Sequence, residues 1–192
     1  GQGEPFQNYQ ATLEALRFAN AKDGLEIGAR HITVSTCGII QGIENLANEP
    51  EQFTLAVSLH SALQDVRNQI MPRCSNIPLP HLKKALQSYV EKTGRRVSFE
   101  YLLIKGVTDT EENLAALIDF CNGLLCHVNL LSVNEVEGSP YKPSSTATQQ
   151  RWVRELKSAG KEATIRNSRG SDIDGACGQL RKSYMDTEKR GE

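Results

Sequence analysis

The sequence predicts an α/β fold in which a parallel sheet or partial barrel is connected by helices. Short apolar runs alternate with amphipathic segments of helical length. The runs are rich in Val, Ile, Leu and Phe, and most of them lack a polar–apolar alternation, as in parallel strands that are buried on both faces. Successive strand–helix units wind in a right-handed sense and place their strands parallel. The predicted strands are 31–36, 53–59, 97–104, 127–133 and 163–166.

The segments between these runs carry apolar stripes at helical spacing, which predict helices. Gly94, Gly123 and Gly160 follow three of the stripes, where helices commonly end. Four strand–helix units and a final strand are fewer than a closed eightfold barrel needs, since that fold takes about 250 residues. The stripes are Leu13 and Leu16; Leu63, Val66 and Ile70; Leu82, Leu86 and Tyr89; Leu114, Leu117 and Ile118; and Trp152, Val153 and Leu156.

The composition is that of an ordinary globular domain. The chain has 192 residues, of which 39% are hydrophobic and 23% charged. Residues 1–180 are predicted to form the domain, and residues 181–192 a charged, disordered tail. The sequence has no apolar run long enough to span a membrane and no signal peptide at its start, so we expect a cytoplasmic protein. A net charge of −1 gives no global basic footprint for nucleic acid.

The five cysteines do not form a recognisable framework. An odd number without a secretory signal argues against disulfides, and no CxxxCxxC motif for an iron–sulfur cluster is present. Cys121 and Cys126 lie in an apolar stretch and are expected in the core. Cys177 differs, because its neighbours Gly175, Ala176 and Gly178 leave room around the sulfur. It is either a reactive thiol or an incidental one.

Polar residues follow several predicted strands, where parallel folds build their active sites. Each one alone is explained by a turn that needs a cap, but together they favour a shared polar ligand. The opening Gly3-Glu4 could let backbone approach that ligand, and the Glu4 carboxylate could accept hydrogen bonds from an ammonium group. The strand-end residues are Ser35, Thr36, Gly38, Ser58, His60 and Asn134.

An ordered set of motifs resembles the radical-SAM rRNA adenine methyltransferases of the RlmN and Cfr family. The resemblance covers residues 1–181, and its most specific parts are VSTCG, SLH and DIDGACGQL. It implies a partial parallel (βα)6 radical-SAM barrel that here lacks its first strands. The cluster motif and a small RNA-binding domain are then expected ahead of residue 1, so that the chain would be inactive alone.

The resemblance also assigns roles to single residues. Gly3 and Glu4 match the motif that holds the amino group of S-adenosylmethionine (SAM), and Cys177 matches the cysteine that SAM methylates. The methylated sulfur then delivers its carbon to an adenine after a [4Fe–4S] cluster has cleaved a second SAM. The other matches to SAM-contacting positions are Ser35, Ser58, Leu59, His60 and Asn134.

The implied substrate is the adenine C2 position of 23S rRNA, with tRNA as a second candidate substrate and a monomer as the acting form. Pro5 and the run 169–174 resemble the C2 branch more than the C8 branch. Two other interpretations stay open. One is a barrel enzyme that acts on a phosphorylated metabolite, and the other is a noncatalytic scaffold that only binds RNA.

Overall fold

The computed structural model describes residues 3–134 and 139–166. Five strands form one sheet in the order of the sequence, and every neighbouring pair is parallel. The α/β prediction with a parallel partial barrel is thereby confirmed, and each strand begins within two residues of its predicted position. The strands are β1 (Thr33–Thr36), β2 (Thr54–Ser58), β3 (Val97–Leu103), β4 (Cys126–Ser132) and β5 (Glu162–Arg166).

Helices connect the strands. The stripes predicted all of them except the short helix between β1 and β2. None of the helices in the described ranges is long and apolar enough to cross a membrane. The helices are α1 (Tyr9–Asn20), α2 (Ile40–Leu46), α3 (Gln64–Ile70), α4 (Leu79–Thr93), α5 (Glu111–Phe120) and α6 (Thr146–Ser158).

One continuous apolar row crosses the sheet and explains why the strands keep their register. Val57 lies beside Phe99, Phe99 beside Val128, and Val128 beside Ala163. All four are essentially inaccessible to solvent and belong to a single core cluster with the helices. Each large side chain buried in this way contributes about 1.5–3 kcal/mol. A one-residue slip of any strand would turn this row to the opposite face.

The expectation that the strands are buried on both faces is wrong for β3 and β4. Their residues alternate between buried and half-buried positions. On β3, the buried residues are Val97, Phe99, Tyr101 and Leu103, and the half-buried ones are Ser98, Glu100 and Leu102. The helices cover only the outer face, so within the part of the chain that the structure describes the inner, concave face stays partly open. The predicted boundary between residues 180 and 181 lies outside the described residues.

Candidate ligand-binding site

A cavity of about 790 Å³ opens at the carboxyl ends of β1, β2 and β3. Its lining includes five of the eight residues that the sequence singled out for the site, because the ends of neighbouring parallel strands meet at one edge. These five are Gly3, Glu4, Ser35, Ser58 and His60. The other lining residues are Pro5, Thr36, Cys37, Ile70, Met71 and Leu102.

Glu4 is the best-anchored side chain of this cavity. Its Oε1 accepts hydrogen bonds from the backbone N–H of Phe6 at 3.1 Å and from the hydroxyl of Thr36 at 2.8 Å. Its Oε2 accepts one from the N–H of Cys37 at 2.6 Å. A carboxylate offers roughly four lone-pair positions. Three protein donors therefore fix the group in place and leave capacity for one more donor from a ligand.

The opening loop reaches the sheet because Phe6 pins it to α2. Phe6 is buried, and its ring packs directly over Gly42. A Cβ at Gly42 would lie 2.3 Å from the Phe6 ring, so only glycine permits this contact. The hydroxyl of Thr12 also donates to the carbonyl of Pro5 at 2.9 Å. These contacts bring the Gly-Glu pair, distant in sequence from β1, to the end of that strand.

His60 has an unusual conformation and an unusual electrostatic setting. Its φ of +58° is rare for a residue with a side chain, and strained backbone of this kind collects at ligand sites. Its Nδ1 is buried and has no hydrogen-bond partner in the described structure. Burial, aided by the positive charge of Arg67, lowers the pKa of His60 to about 4. The imidazole is therefore neutral at pH 7, and its Nδ1 is available to a ligand.

Sequence reasoning missed Arg67, which lies behind the cavity. Its side chain is fully buried, and its Nη2 donates to the carbonyl of Cys37 at 2.5 Å, while Nη1 is 3.4 Å from the carbonyl of Cys74. Burial lowers the pKa of this guanidinium. Gly38, with φ +109°, lets the chain turn sharply beside it. Arg67 thus ties the loop after β1 to the segment after α3. No sequence signal marked it, because a lone arginine on a short helix is ordinary.

Cys37 also lines the cavity, but it is not a nucleophile. Burial raises the pKa of its thiol, and the neighbouring Cys74 and Glu4 side chains raise it further. Since the thiolate is the reactive form, this cysteine stays an unreactive thiol at neutral pH. Thr36 accepts a hydrogen bond from the N–H of Gly38 at 3.0 Å while it donates to Glu4. The sequence named Thr36 among the polar strand-end residues, and the structure places it in the cavity lining.

Two further predicted site residues, Leu59 and Asn134, do not line the cavity. The side chain of Leu59 is buried in the core, and its N–H donates to the carbonyl of Glu100 at 3.1 Å. Asn134 is half-buried and is not part of the cavity lining. Cys177 lies outside the described residues, so its predicted place near the mouth of the cavity stays a prediction.

The lining fits a ligand with an ammonium group, hydroxyls and an apolar face. Glu4 supplies a carboxylate, and Ser35 and Ser58 supply hydroxyls, whereas Ile70 and Met71 supply apolar surface. SAM, with its amino group, ribose and adenine, meets this description. An iron–sulfur cluster does not. Within residues 3–134 and 139–166 no group of three His, Cys, Asp or Glu side chains could hold a metal.

The comparisons with known proteins agree with the site. No family model matches the sequence. A probable dual-specificity RNA methyltransferase RlmN of Clostridium perfringens (strain SM101) is 45% identical over 96% of the chain, and one of Clostridium botulinum (strain Eklund 17B) is 45% identical over all of it. The chain is homologous to the RlmN RNA methyltransferases. It spans 53% and 56% of the lengths of these two relatives, hence about half of each.

A solved structure gives the same result at the level of the fold. The radical SAM methyltransferase from Sphaerobacter thermophilus superposes with a TM-score of 0.89 and is 46% identical. The match covers 93% of the chain described here and 52% of that protein. The parallel sheet and its helices therefore have the fold of about half of that radical SAM methyltransferase.

Proposed function

We propose that the chain is the SAM-binding part of a radical-SAM RNA methyltransferase that methylates the C2 position of adenine. The observation that carries the proposal is the convergence of Gly3, Glu4, Ser35, Ser58 and His60 on one cavity. These residues come from three separate segments, and the resemblance to the RlmN and Cfr family names each of them as a SAM contact. Homology over the whole chain supports the same assignment.

Each residue has a task that its geometry allows. The fixed carboxylate of Glu4 has one acceptor position left, which suits the SAM ammonium group. Ser35 and Ser58 offer hydroxyls to the ribose. The neutral imidazole of His60 offers a nitrogen with no protein partner. The side chains of Met71 and Leu102 would cover the adenine and exclude water.

SAM supplies the methyl group and, once a reduced cluster cleaves it, the radical that this type of methylation requires. The described residues offer no ligand set for that cluster. We infer from the sequence that Cys177 is the methyl acceptor. A thiolate is a good nucleophile for the SAM methyl group, whereas an adenine carbon is not. The small neighbours of Cys177 suit the two encounters that such a carrier needs, first with SAM and then with the base.

The proposed substrates are 23S rRNA and tRNA, and the proposed acting form is a cytoplasmic monomer. The names of the relatives, "dual-specificity RNA methyltransferase", support RNA as the substrate class. RNA bases that undergo chemistry are usually taken out of their stack. The target adenine would then enter the concave side of the sheet, which the helices leave open.

The cavity lining argues against an enzyme for a phosphorylated metabolite. Phosphate sites use Arg, Lys or helix N-termini. Among the residues that the structure describes, the lining of this cavity contains the carboxylate of Glu4 and no Arg or Lys. A phosphate placed there would meet a negative charge instead of a positive one. The noncatalytic scaffold is the remaining alternative, and it predicts no role for Cys177.

Calorimetric titration with SAM tests the binding site. Ser58→Ala removes a cavity hydroxyl that has no hydrogen-bond partner among the described residues, so the fold should tolerate the change. We expect it to weaken SAM binding about 5- to 10-fold, as expected for one net hydrogen bond of about 1 kcal/mol. Ser88→Ala, at an exposed position of α4, is the matched control and should leave the affinity unchanged.

Two results would contradict the proposal. The first is an unmodified chain that does not bind SAM but binds a simple phosphate ester. The second concerns the chain joined to the N-terminal half of a relative, so that the cluster ligands are restored. There Cys177→Ala should abolish methyl transfer to RNA and leave SAM binding intact. Methylation by this variant would return Cys177 to an incidental thiol.

A further inference from the structure

A second cavity, of about 380 Å³, lies at the amino ends of the strands, opposite the SAM site. Of the residues placed in the structure, three arginines and no acidic residue contribute to it. The arginines come from the segment before β1 and from the turn between α4 and β3. The lining consists of Arg30, Gln52, Thr54, Thr93, Gly94, Arg95, Arg96 and Ser98. Nothing in the proposed SAM chemistry uses this cavity.

Arg95 forms the fixed wall of this arginine pocket. Its Nη1 donates to the carbonyls of Glu51 and Phe53, each at 3.0 Å. Its guanidinium carbon lies 5.3 Å from the centre of the Tyr89 ring, which adds a cation–π contact. These contacts use one of the three guanidinium nitrogens. Among the described residues the N–H groups of Nε and Nη2 have no acceptor, so they can donate to a ligand. The contacts of Nη1 and of the Tyr89 ring fix the orientation of the guanidinium before a ligand binds.

Arg30 and Arg96 are the exposed arginines of the pocket. The Nε of Arg30 donates to the Oε1 of Gln52 at 2.6 Å, so a neutral amide, and not a carboxylate, holds it. The carbonyl of Arg30 accepts a hydrogen bond from the hydroxyl of Thr54 at 3.1 Å. Among the described residues no side chain or carbonyl bonds the guanidinium of Arg96, so both groups keep most of their donors at the pocket entrance.

The positive charge of the pocket is not compensated by the protein. Among residues 3–134 and 139–166, none of the ion pairs involves Arg30, Arg95 or Arg96. The carboxylate of Glu51, the residue whose carbonyl accepts from Arg95, is bound to Arg17 at 2.7 Å. Three like charges therefore share one concave surface in a chain whose net charge is −1. An anion placed among them would relieve their mutual repulsion.

We propose that this arginine pocket binds a backbone phosphate of RNA. Planar guanidinium groups with parallel donors match the oxygens of a phosphate. The pocket lies at the surface, where a polynucleotide can pass across it with a phosphate seated inside. The identity of the polyanion rests on the proposed function, in which RNA is the substrate. RNA held at this pole would be anchored far from the SAM site and would add affinity without contacting the target base.

The test measures binding of a fluorescein-labelled single-stranded RNA dodecamer to the full chain over a series of salt concentrations. Arg30→Gln and Arg96→Gln should each weaken binding about 3- to 10-fold at 100 mM salt. Each should also reduce the slope of log affinity against log salt by about 0.7, because one phosphate contact is lost. Arg95 is left unchanged, since its contacts with Glu51 and Phe53 support the fold.

Arg154→Gln is the matched control, because it removes the same charge from an exposed position on α6. Equal losses in the control and in the pocket variants would overturn the proposal, and so would an unmodified chain that does not bind the dodecamer. Inorganic phosphate at millimolar concentration should compete with the RNA only weakly. If phosphate binds the pocket as tightly as the dodecamer does, the pocket serves a small anion and the RNA assignment is wrong.

SAM titration of the same preparations separates the two proposals. If the chain binds SAM normally but its RNA affinity does not depend on Arg30 and Arg96, only the proposal for the arginine pocket is overturned. Failure of the unmodified chain to bind SAM overturns the proposed function, whatever the RNA result. The pocket variants should keep SAM affinity unchanged, because the two cavities share no lining residue.

Discussion

The two faces of the sheet are formed by the same strands, but the outer face carries apolar side chains and the inner face carries mostly polar ones. On the outer face, Tyr101 of β3 packs against Trp152 of α6 with ring centres 5.3 Å apart, and both residues are fully buried. On the inner face, the alternate positions of β3, β4 and β5 carry polar side chains that are half-buried or exposed. Glu100, Asn129 and Thr164 form the centre of this row.

The inner polar groups bond to one another across the strands, although Oε2 of Glu100 is buried without a hydrogen-bond partner among the described residues. Asn129 donates to Glu100 at 2.9 Å and accepts from Thr164 at 3.1 Å. His127 shares a hydrogen bond of 2.9 Å with the Thr164 hydroxyl, and Arg166 lies 3.7 Å from Glu100. This face therefore tolerates water without a covering layer. This difference indicates that the packing of the outer face against the helices supplies most of the stability of the fold. The inner face and the carboxyl edge of the sheet are then free to bind a ligand.

The largest expected effect is on the outer face. Trp152→Ala should lower the free energy of unfolding by about 3–5 kcal/mol, because it opens a cavity beneath Tyr101. Urea denaturation followed by circular dichroism measures the change. His127→Ala, which removes a ring from the inner face, is the control and should cost less than about 1.5 kcal/mol. Similar losses for both variants would mean that the two faces contribute equally to stability.

A smaller effect, which depends on pH, is expected at the edge where the faces meet. His60 is neutral in the folded chain because burial lowers its pKa to about 4, whereas an unfolded chain protonates it near pH 6.5. Between these values the unfolded state binds more protons. Stability should therefore be complete above pH 6.5 and fall by at most about 3 kcal/mol as the pH drops to 4.

Denaturation at several pH values checks this expectation for His60. Other groups also titrate in the window, so the informative quantity is the difference between variants. His60→Gln should remove part of the slope between pH 4 and 6.5, and His81→Gln, at an exposed position of α4, should not. An unchanged slope in His60→Gln would show that the imidazole titrates equally in the folded and unfolded states.

The sequence predicted the strands and most helices because their signals are local. Runs such as 97–104 are long and rich in β-branched and aromatic residues, and stripes such as that of α4 recur at helical spacing. The alternation of polar and apolar residues in VSFEYLL was also visible in the sequence, but this strand was predicted to be buried on both faces. The short helix α2 was not predicted, although α3, with the same length of seven residues, was.

The site was only partly predictable, because its geometry depends on long-range contacts. Strand-end position was sufficient for Ser35 and Ser58, and the family motifs for Glu4. Arg67 could not be found, since its role comes from carbonyls that are distant from it in sequence or lie beyond its own helix. The arginine pocket could not be predicted from the sequence either, because it too depends on contacts between distant segments. Its residues come from separate segments, and the net charge of −1 conceals them.

The finest test of the two faces compares two asparagines. Asn129 lies half-buried on the inner face, where water can replace its lost hydrogen bonds. Asn129→Ala should therefore cost only about 1 kcal/mol of unfolding free energy. Asn113 is buried beside the outer face and accepts hydrogen bonds from Ser61 at 2.8 Å and Tyr101 at 3.2 Å. Asn113→Ala should cost about 2–3 kcal/mol, because it removes a buried amide that bonds Ser61, Tyr101 and the carbonyl of Val107 at once.

Urea denaturation of both asparagine variants at pH 7 gives the comparison. A cost for Asn129→Ala that equals or exceeds the cost for Asn113→Ala would mean that the inner polar row is a structural network as demanding as the core. The concave face could not then accept a base without losing stability. The expected result, a smaller cost for Asn129→Ala than for Asn113→Ala, instead means that the polar groups of the inner face can rearrange with little loss of stability. A ligand that enters there can break the bonds of Asn129 with Glu100 and Thr164 and replace them with its own.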